Sequence, residues 1–147
     1  MIKDGELKVL EFNCRFGDPE TQPILIRLKS SLVELCLAAI NDEMDLYDIS
    51  WTDQHACGVV IASAGYPESY ESNKQVTLPI KLDQDVKLFH AGTKLFNDNV
   101  VTSGGRVFCA TALGDDLKSA QSKAYNLVDS VTSVSYTHLT LPTNGTV

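Results

Sequence analysis

The chain has no run of 18 consecutive apolar residues, so nothing in it reads as a membrane-spanning helix. Its first residues, Met1 to Gly5, lack an apolar centre and do not read as a signal peptide. Basic residues are scarce. Twelve Lys and Arg stand against 19 Asp and Glu, a net charge of −7. That argues against a nucleic-acid-binding surface, which needs clustered Lys and Arg. There is no C-x-x-C pair, no internal repeat and no low-complexity segment. Cys14, Cys36, Cys57 and Cys109 lie far apart among apolar neighbours. They are expected to be reduced, buried small hydrophobes in a cytosolic compartment. What remains is an ordinary globular composition. The 147 residues, 44% hydrophobic and 21% charged, suffice for one domain, or for a small domain with a piece of another.

The densest chemistry lies in Leu10-Glu11-Phe12-Asn13-Cys14-Arg15-Phe16-Gly17-Asp18-Pro19-Glu20-Thr21. Lys8 to Phe12 reads as a strand, which would send Glu11, Asn13 and Arg15 to one face. Two oxygen donors on a stiff backbone suit Mg²⁺, a small hard cation that completes its shell with water and phosphate. Arg15 stands one step further along, placed to pair with a phosphate or carboxylate. Alternating polar residues on a strand are more often only its wet face. Asp18-Pro19-Glu20 reads as a helix start: Asp as cap, Pro first and Glu in the first turn. A polar strand face running into a helix N-terminus is a common anion site.

Beyond it, one helix is expected from Pro19 to about Leu28, bent at Pro23. A second is expected from about Leu32 to Ile40, started by the Ser31–Glu34 capping box. Residues 41–53 form an acidic connector. Cys57 to Ala62 reads as a buried strand, and Val76 to Ile80 as an edge strand weakened by Pro79. Val86 to Phe96 and Asn99 to Ala112 read as two long strands joined by a turn at Asn97-Asp98-Asn99. Gly114-Asp115-Asp116 caps a last helix, whose apolar face is Leu117, Ala120, Ala124, Leu127, Val128 and Val131. The fold class is α+β. Trp51 reads as packing. His90 reads as a hydrogen-bonded core residue rather than a base. No spacing supports zinc at His55, Cys57 and His90.

Leu10 through Gln22 resembles the signature of the phosphoribosylamine–glycine ligases, also called glycinamide ribonucleotide synthetases, an ATP-grasp family of purine biosynthesis. Three further stretches match in order. They are Ala62-Ser63-Ala64-Gly65-Tyr66-Pro67, Phe89-His90-Ala91-Gly92-Thr93, and Thr102-Ser103-Gly104-Gly105-Arg106-Val107 with Thr111-Ala112-Leu113-Gly114. Together they cover residues 1 to about 132. The resemblance implies that 1–50 end an ATP-grasp core and 51–132 form a small β-rich C-terminal domain with a closing helix. It implies Mg²⁺ or Mn²⁺ on Glu11 and Asn13, with ATP as co-substrate. Arg15 would steady the acyl phosphate. Gly104, Gly105 and Arg106 would lie near the nucleotide or at a domain contact. Asp18 and Glu20 are weaker candidates, explained by capping alone. The implied partners are ATP, glycine and 5-phosphoribosylamine, bound by a cytoplasmic enzyme that is monomeric at full length.

The resemblance also implies an upstream lysine-bearing subdomain, so the chain is expected to begin inside a longer ligase and to be inactive alone. The family's closing motifs are missing after residue 132. Val134 to Thr143 instead looks like a translated sequencing-library adapter, and 133–147 are expected to be non-native. Two rivals remain. Other ATP-grasp carboxylate ligases and carboxylases share Glu-x-Asn-x-Arg but continue differently. A non-catalytic binding or assembly module would lack the upstream lysine.

Overall fold

The structure is a computed structural model that describes residues 2–10, 12, 14–133 and 136–137. Glu11, Asn13 and most of the expected non-native tail, including Leu139 and Leu141, lie outside the described residues. The order of elements is β1 (Ile2–Lys3), β2 (Glu6–Leu7), α1 (Thr21–Leu25), α2 (Leu32–Ile40), β3 (His55–Ser63), β4 (Val76–Thr77) and β5 (Val86–His90). Then come β6 (Thr93–Phe96), β7 (Asn99–Thr102), β8 (Arg106–Gly114), α3 (Leu117–Ser130), β9 (Thr132–Ser133) and β10 (Tyr136–Thr137). A 3-10 turn at Met44–Leu46 interrupts the acidic connector.

The centre is an antiparallel four-stranded sheet in the order β10-β3-β8-β5. Val59, Val60, Ile61 and Ala62 on β3, and Val107 through Ala112 on β8, are all buried. A strand covered on both faces needs no polar alternation, which is why these two read as continuous apolar runs. Helix α3 lies on one face and closes the core through Ala124, Leu127 and Val128, against Phe108, Ala110, Ala112, Val59 and Ile61. The Asp116 side chain accepts from Ser119 N at 2.6 Å and so caps the helix. Leu117, expected on the buried face, stands exposed: it is the first helical residue, before the helix has come down onto the sheet.

The second long strand pair is cut into shorter pieces. What was expected as one strand over Val86 to Phe96 breaks at Ala91–Gly92, and Asn99 to Ala112 breaks at Ser103–Gly105. β6 and β7 leave the main sheet as their own hairpin, with Phe96 opposite Asn99. Asn97 and Asp98 both take positive φ, +48° and +61°, the mirror-image turn that matches strand twist. β4 keeps only two residues and pairs with β9. β10 pairs with the end of β3 at Ala62 and Ser63, so the first part of the tail adds a short edge strand.

The N-terminal third differs most from expectation. Helix α2 and its Ser31 cap are as read, with Glu34 N donating to Ser31 Oγ at 3.4 Å. Helix α1 is five residues long, beginning at Thr21 rather than at Pro19. Pro23 is therefore in its first turn, where no backbone bond is lost, and bends nothing. The helix stops at Leu25 because the next residues are recruited elsewhere. Leu28 bridges to Trp51, Lys29 N donates to Ser50 O and Thr52 N donates to Arg27 O, both at 2.9 Å. The expected strand over Lys8 to Phe12 is not found among the described residues; β2 ends at Leu7. Val9, Leu10 and Phe12 stand exposed, Phe12 by 89%. Strand preference reflects packing against neighbours, and here those side chains stand mostly in solvent.

Two outcomes test this fold. Asp116→Ala should lower stability by about 1 kcal/mol in denaturant titrations, the usual worth of a cap. Deleting residues 134–147 should leave the melting temperature nearly unchanged. Two residues of edge ladder yield about 1 kcal/mol per hydrogen bond, offset by about 1–2 kcal/mol per residue of backbone ordering.

Candidate functional site

The start of β8 and the Cys14–Glu20 turn meet on the face of the sheet opposite α3. Helix α1 holds that face closely: a Cβ placed on Gly58 of β3 would stand 3.2 Å from Pro23 Cδ and 3.4 Å from Cys109 Sγ. Just before α1, Thr21 N donates to Gly17 O at 3.2 Å and Thr21 Oγ1 donates to the same carbonyl. That closes a compact turn over residues 17–21. The Glu20 carboxylate folds back against Gly17. Cys14 and Arg15 sit in a bend, not on a strand, so alternation does not place Arg15. The Arg15 guanidinium is exposed and donates to Phe16 O at 3.1 Å.

On the other side, Gly104 and Gly105 form a bend against the Ala91–Gly92 corner. Gly92 N donates to Arg106 O and Ser103 N donates to Gly92 O, both at 2.8 Å. Ser63 fastens the same bend from β3, its N–H donating to Gly105 O at 2.7 Å and its hydroxyl to Gly104 O at 3.0 Å. The Tyr66 ring lies directly on Gly105, where a Cβ would overlap it, and is itself tilted against Tyr70 at 6.1 Å between centroids. Glycine at 105 is thus a matter of close approach. The β3–β8 register then slips: Ile61 faces Phe108 while Ala62 faces Arg106. This bulge, of the kind that re-aims a side chain, sits where Arg106 begins the strand. Arg106 Nη2 meets Asp18 Oδ2 at 3.0 Å. The side chains are 35% and 62% exposed, so the pair is worth about 0–1 kcal/mol of stability.

The structure therefore brings together Asp18, Arg106, Gly104 and Gly105, with Glu20 folded onto the same turn. Asp18, read as a helix cap, is an ion-pair partner instead; the observed cap position is Glu20, which makes no side-chain capping bond. His90 is not a core residue. It is exposed, its Nδ1 3.0 Å from Thr93 Oγ1 and its ring edge-on to Phe108 at 4.9 Å. Sequence reasoning missed Tyr66 as the cover of Gly105. Its only signal was the Gly-Tyr-Pro stretch.

The cysteines divide. Cys14 and Cys36 are exposed, against expectation, whereas Cys109 is buried and Cys57 half-buried. Burial pushes the Cys57 thiol up, and the nearby Cys109 adds to it. Burial raises Cys109 as well, opposed by its hydrogen bond with Thr111 and reinforced by the Asp18 carboxylate. Neither is an activated thiolate. Among the described residues no three His, Cys, Asp or Glu gather as a metal site. No described helix is long and apolar enough to cross a membrane.

The family described as phosphoribosylglycinamide synthetase, C domain, matches residues 56–138. The chain belongs to that family. The match spans β3 through α3 and runs past residue 132 to His138, into the segment expected to be non-native. The phosphoribosylamine–glycine ligase of Salmonella typhimurium is 53% identical over 131 residues, 88% of this chain. That of Vibrio cholerae is 51% identical over 128 residues, 86% of this chain. The chain spans about 30% of the length of either relative. The crystal structure of phosphoribosylamine–glycine ligase from Thermotoga maritima superposes with a TM-score of 0.70 at 31% identity, over 92% of this chain and 33% of that one. The α+β architecture, with antiparallel sheets and a closing helix, is that of the C-terminal part of these ligases.

The Gly92–Gly104 contact separates rigid from yielding close approaches. A Cβ on Gly92 would meet backbone, Arg106 O and Gly104 Cα at 2.7 Å, whereas one on Gly104 would meet only Gly92 Cα at 3.1 Å. Gly92→Ala should therefore destabilise by roughly 1–3 kcal/mol, and Gly104→Ala by less. Urea denaturation of both variants checks the order.

Proposed function

We propose that this chain serves a phosphoribosylamine–glycine ligase, contributing the end of an ATP-grasp core (1–50) and the β-rich C-terminal domain (51–132). The observation that carries this reading is the 53% identity over 131 residues to the Salmonella ligase. A second observation supports the two-part division. Of the large apolar side chains that stand in solvent, most belong to residues 7–51, among them Leu10, Phe12, Val33, Leu37, Ile40 and Trp51. Helix α2 is apolar on nearly every side, yet only Ala38 is buried. Such a helix is normally interior. These residues read as part of a larger core, while residues 55–131 close a core of their own.

In this reading the reaction joins glycine to 5-phosphoribosylamine. A carboxylate resists amine attack until phosphorylation by ATP makes one of its oxygens a leaving group. The amine then displaces phosphate, giving glycinamide ribonucleotide. Glu11 and Asn13 offer the carboxylate and amide oxygens that suit Mg²⁺ or Mn²⁺. Such a cation would neutralise charge on the nucleotide phosphates. Arg15, exposed in its bend, would pair with the acyl phosphate as charge develops. Gly104, Gly105 and Arg106, gathered against the same turn, would lie near the nucleotide or at a domain contact. The enzyme would work in the cytoplasm, as a monomer.

The test is a chimaera. Residues 1–132 are joined behind the portion of the Salmonella ligase that precedes its matched segment, and glycine-dependent formation of glycinamide ribonucleotide is assayed. Turnover is expected. Glu11→Ala and Asn13→Ala should each lower kcat by about 10²–10³, with thermal stability within about 0.5 kcal/mol. Activity lost only in proportion to folded protein would show that neither residue serves the metal.

A further inference from the structure

The Arg106–Asp18 pair ties two distant parts of the chain together at a place built to hold one of them still. The Arg106 end is rigid. Its carbonyl accepts from Gly92 N, and the bend before it is fixed by two hydrogen bonds from Ser63. Gly92 and Gly104 meet there without side chains, Tyr66 covers Gly105, and the bulge directs the guanidinium across the α1 face of the sheet. The Asp18 end is the reverse. The turn after Cys14 is largely exposed, and among the described residues its regular hydrogen bonding starts at Gly17 and Thr21. It is also the turn that carries Arg15.

We propose that Arg106 is a positioning residue: its ion pair with Asp18 fastens the Cys14–Glu20 turn, and with it Arg15, to the bulged start of β8. The catalytic half of this statement rests on the ligase reading above; the mechanical half does not. An ion pair this exposed adds little to global stability, so its effect is local order. It also assigns the Gly92 corner a purpose, since a Cβ there would stand 2.7 Å from Arg106 O and Gly104 Cα, and its absence lets β8 begin close enough to present Arg106 in this direction. Arg106 touches no reacting atom in this scheme. It acts through the turn it holds, and a guanidinium, whose charge and fork of donors are fixed, suits a clasp better than an ammonium.

The first experiment uses the 147-residue chain and residue-resolved amide hydrogen exchange. In Asp18→Asn and Arg106→Gln, Thr21 and Ile24 amides should exchange roughly two- to fivefold faster, the scale of one exposed ion pair. Amides of Val59 to Ile61 and Cys109 to Ala110 should not change. The charge-reversed double variant Asp18→Arg/Arg106→Asp should restore the turn's protection, and Arg106→Lys should restore part of it. Unchanged exchange at Thr21 and Ile24, or equal acceleration throughout the sheet, would overturn the clasp. The second experiment uses the chimaeric ligase. Arg106→Gln should lower kcat on the order of 10- to 100-fold, the scale of a small misplacement, with KM for ATP little changed and recovery in the charge-reversed pair. Unaltered kcat would overturn the positioning role. If the unsubstituted chimaera makes no product, the ligase reading fails, while the exchange measurement still decides the clasp.

Discussion

The pairing of β3 with β8 is the constraint on which the rest depends. Two nine-residue strands run antiparallel from His55–Gly114 to Ala62–Arg106, with one slip near the end. The main sheet and the helices on its two faces take their place from them. β5 and β10 extend the sheet on either side, α3 covers one face, and α1 lies on the other. The contact between the pair and α3 is small and close: Ala62, Ala110 and Ala112 of the strands and Ala120 and Ala124 of the helix are wholly buried. Small side chains let α3 approach the sheet, and Phe108, Ile61 and Val107 fill the volume that remains. A core of this kind tolerates little enlargement.

The slip in the register gives the pair its second consequence. Without the bulge at Val107, β8 would continue in phase past Ala62. With it, Arg106 emerges beside the turn that follows the Glu-x-Asn-x-Arg stretch. Stability and chemistry thus separate along one strand. Val107 to Ala112 hold the domain together, whereas Arg106, one residue earlier, belongs to the contact with residues 14–20. The same division explains the glycines. Gly92, Gly104 and Gly105 sit where three backbone segments and one aromatic ring converge, and none lies inside the main ladder.

The N-terminal third behaves differently because its apolar surface exceeds what the chain itself covers. Residues 2–51 include no long strand among those described, and α1 and α2 are short. Backbone bonds around Leu28 and Trp51 tie this segment to itself, while Pro23 over Gly58 and the Asp18–Arg106 pair connect it to the sheet. A helix such as α2, with Ile40 80% exposed, owes its place to its cap and its own hydrogen bonds more than to burial. That is consistent with the proposed ligase reading, in which such a segment finds its packing partners in a longer protein; the matched relatives are about three times as long.

Short-range signals were legible in the amino-acid sequence alone. Ser31 with Glu34 set the start of α2, Asp116 set the start of α3, and Asn97-Asp98 set the β6–β7 turn, since each acts through hydrogen bonds or backbone preferences within four residues. The four ordered motifs sufficed to name the family. The tertiary structure alone decided what depends on partners far along the chain. It ended α1 at Leu25 by drawing Leu28 to Trp51, broke the long strands at the Gly92–Gly104 contact, and left Lys8 to Leu10 outside any strand. It also made Asp18 the partner of Arg106 rather than a helix cap. An Asp before Pro and Glu carries a local capping preference. A guanidinium delivered by a bulge on a distant strand outweighs it, and no pattern within a dozen residues can announce that strand's arrival.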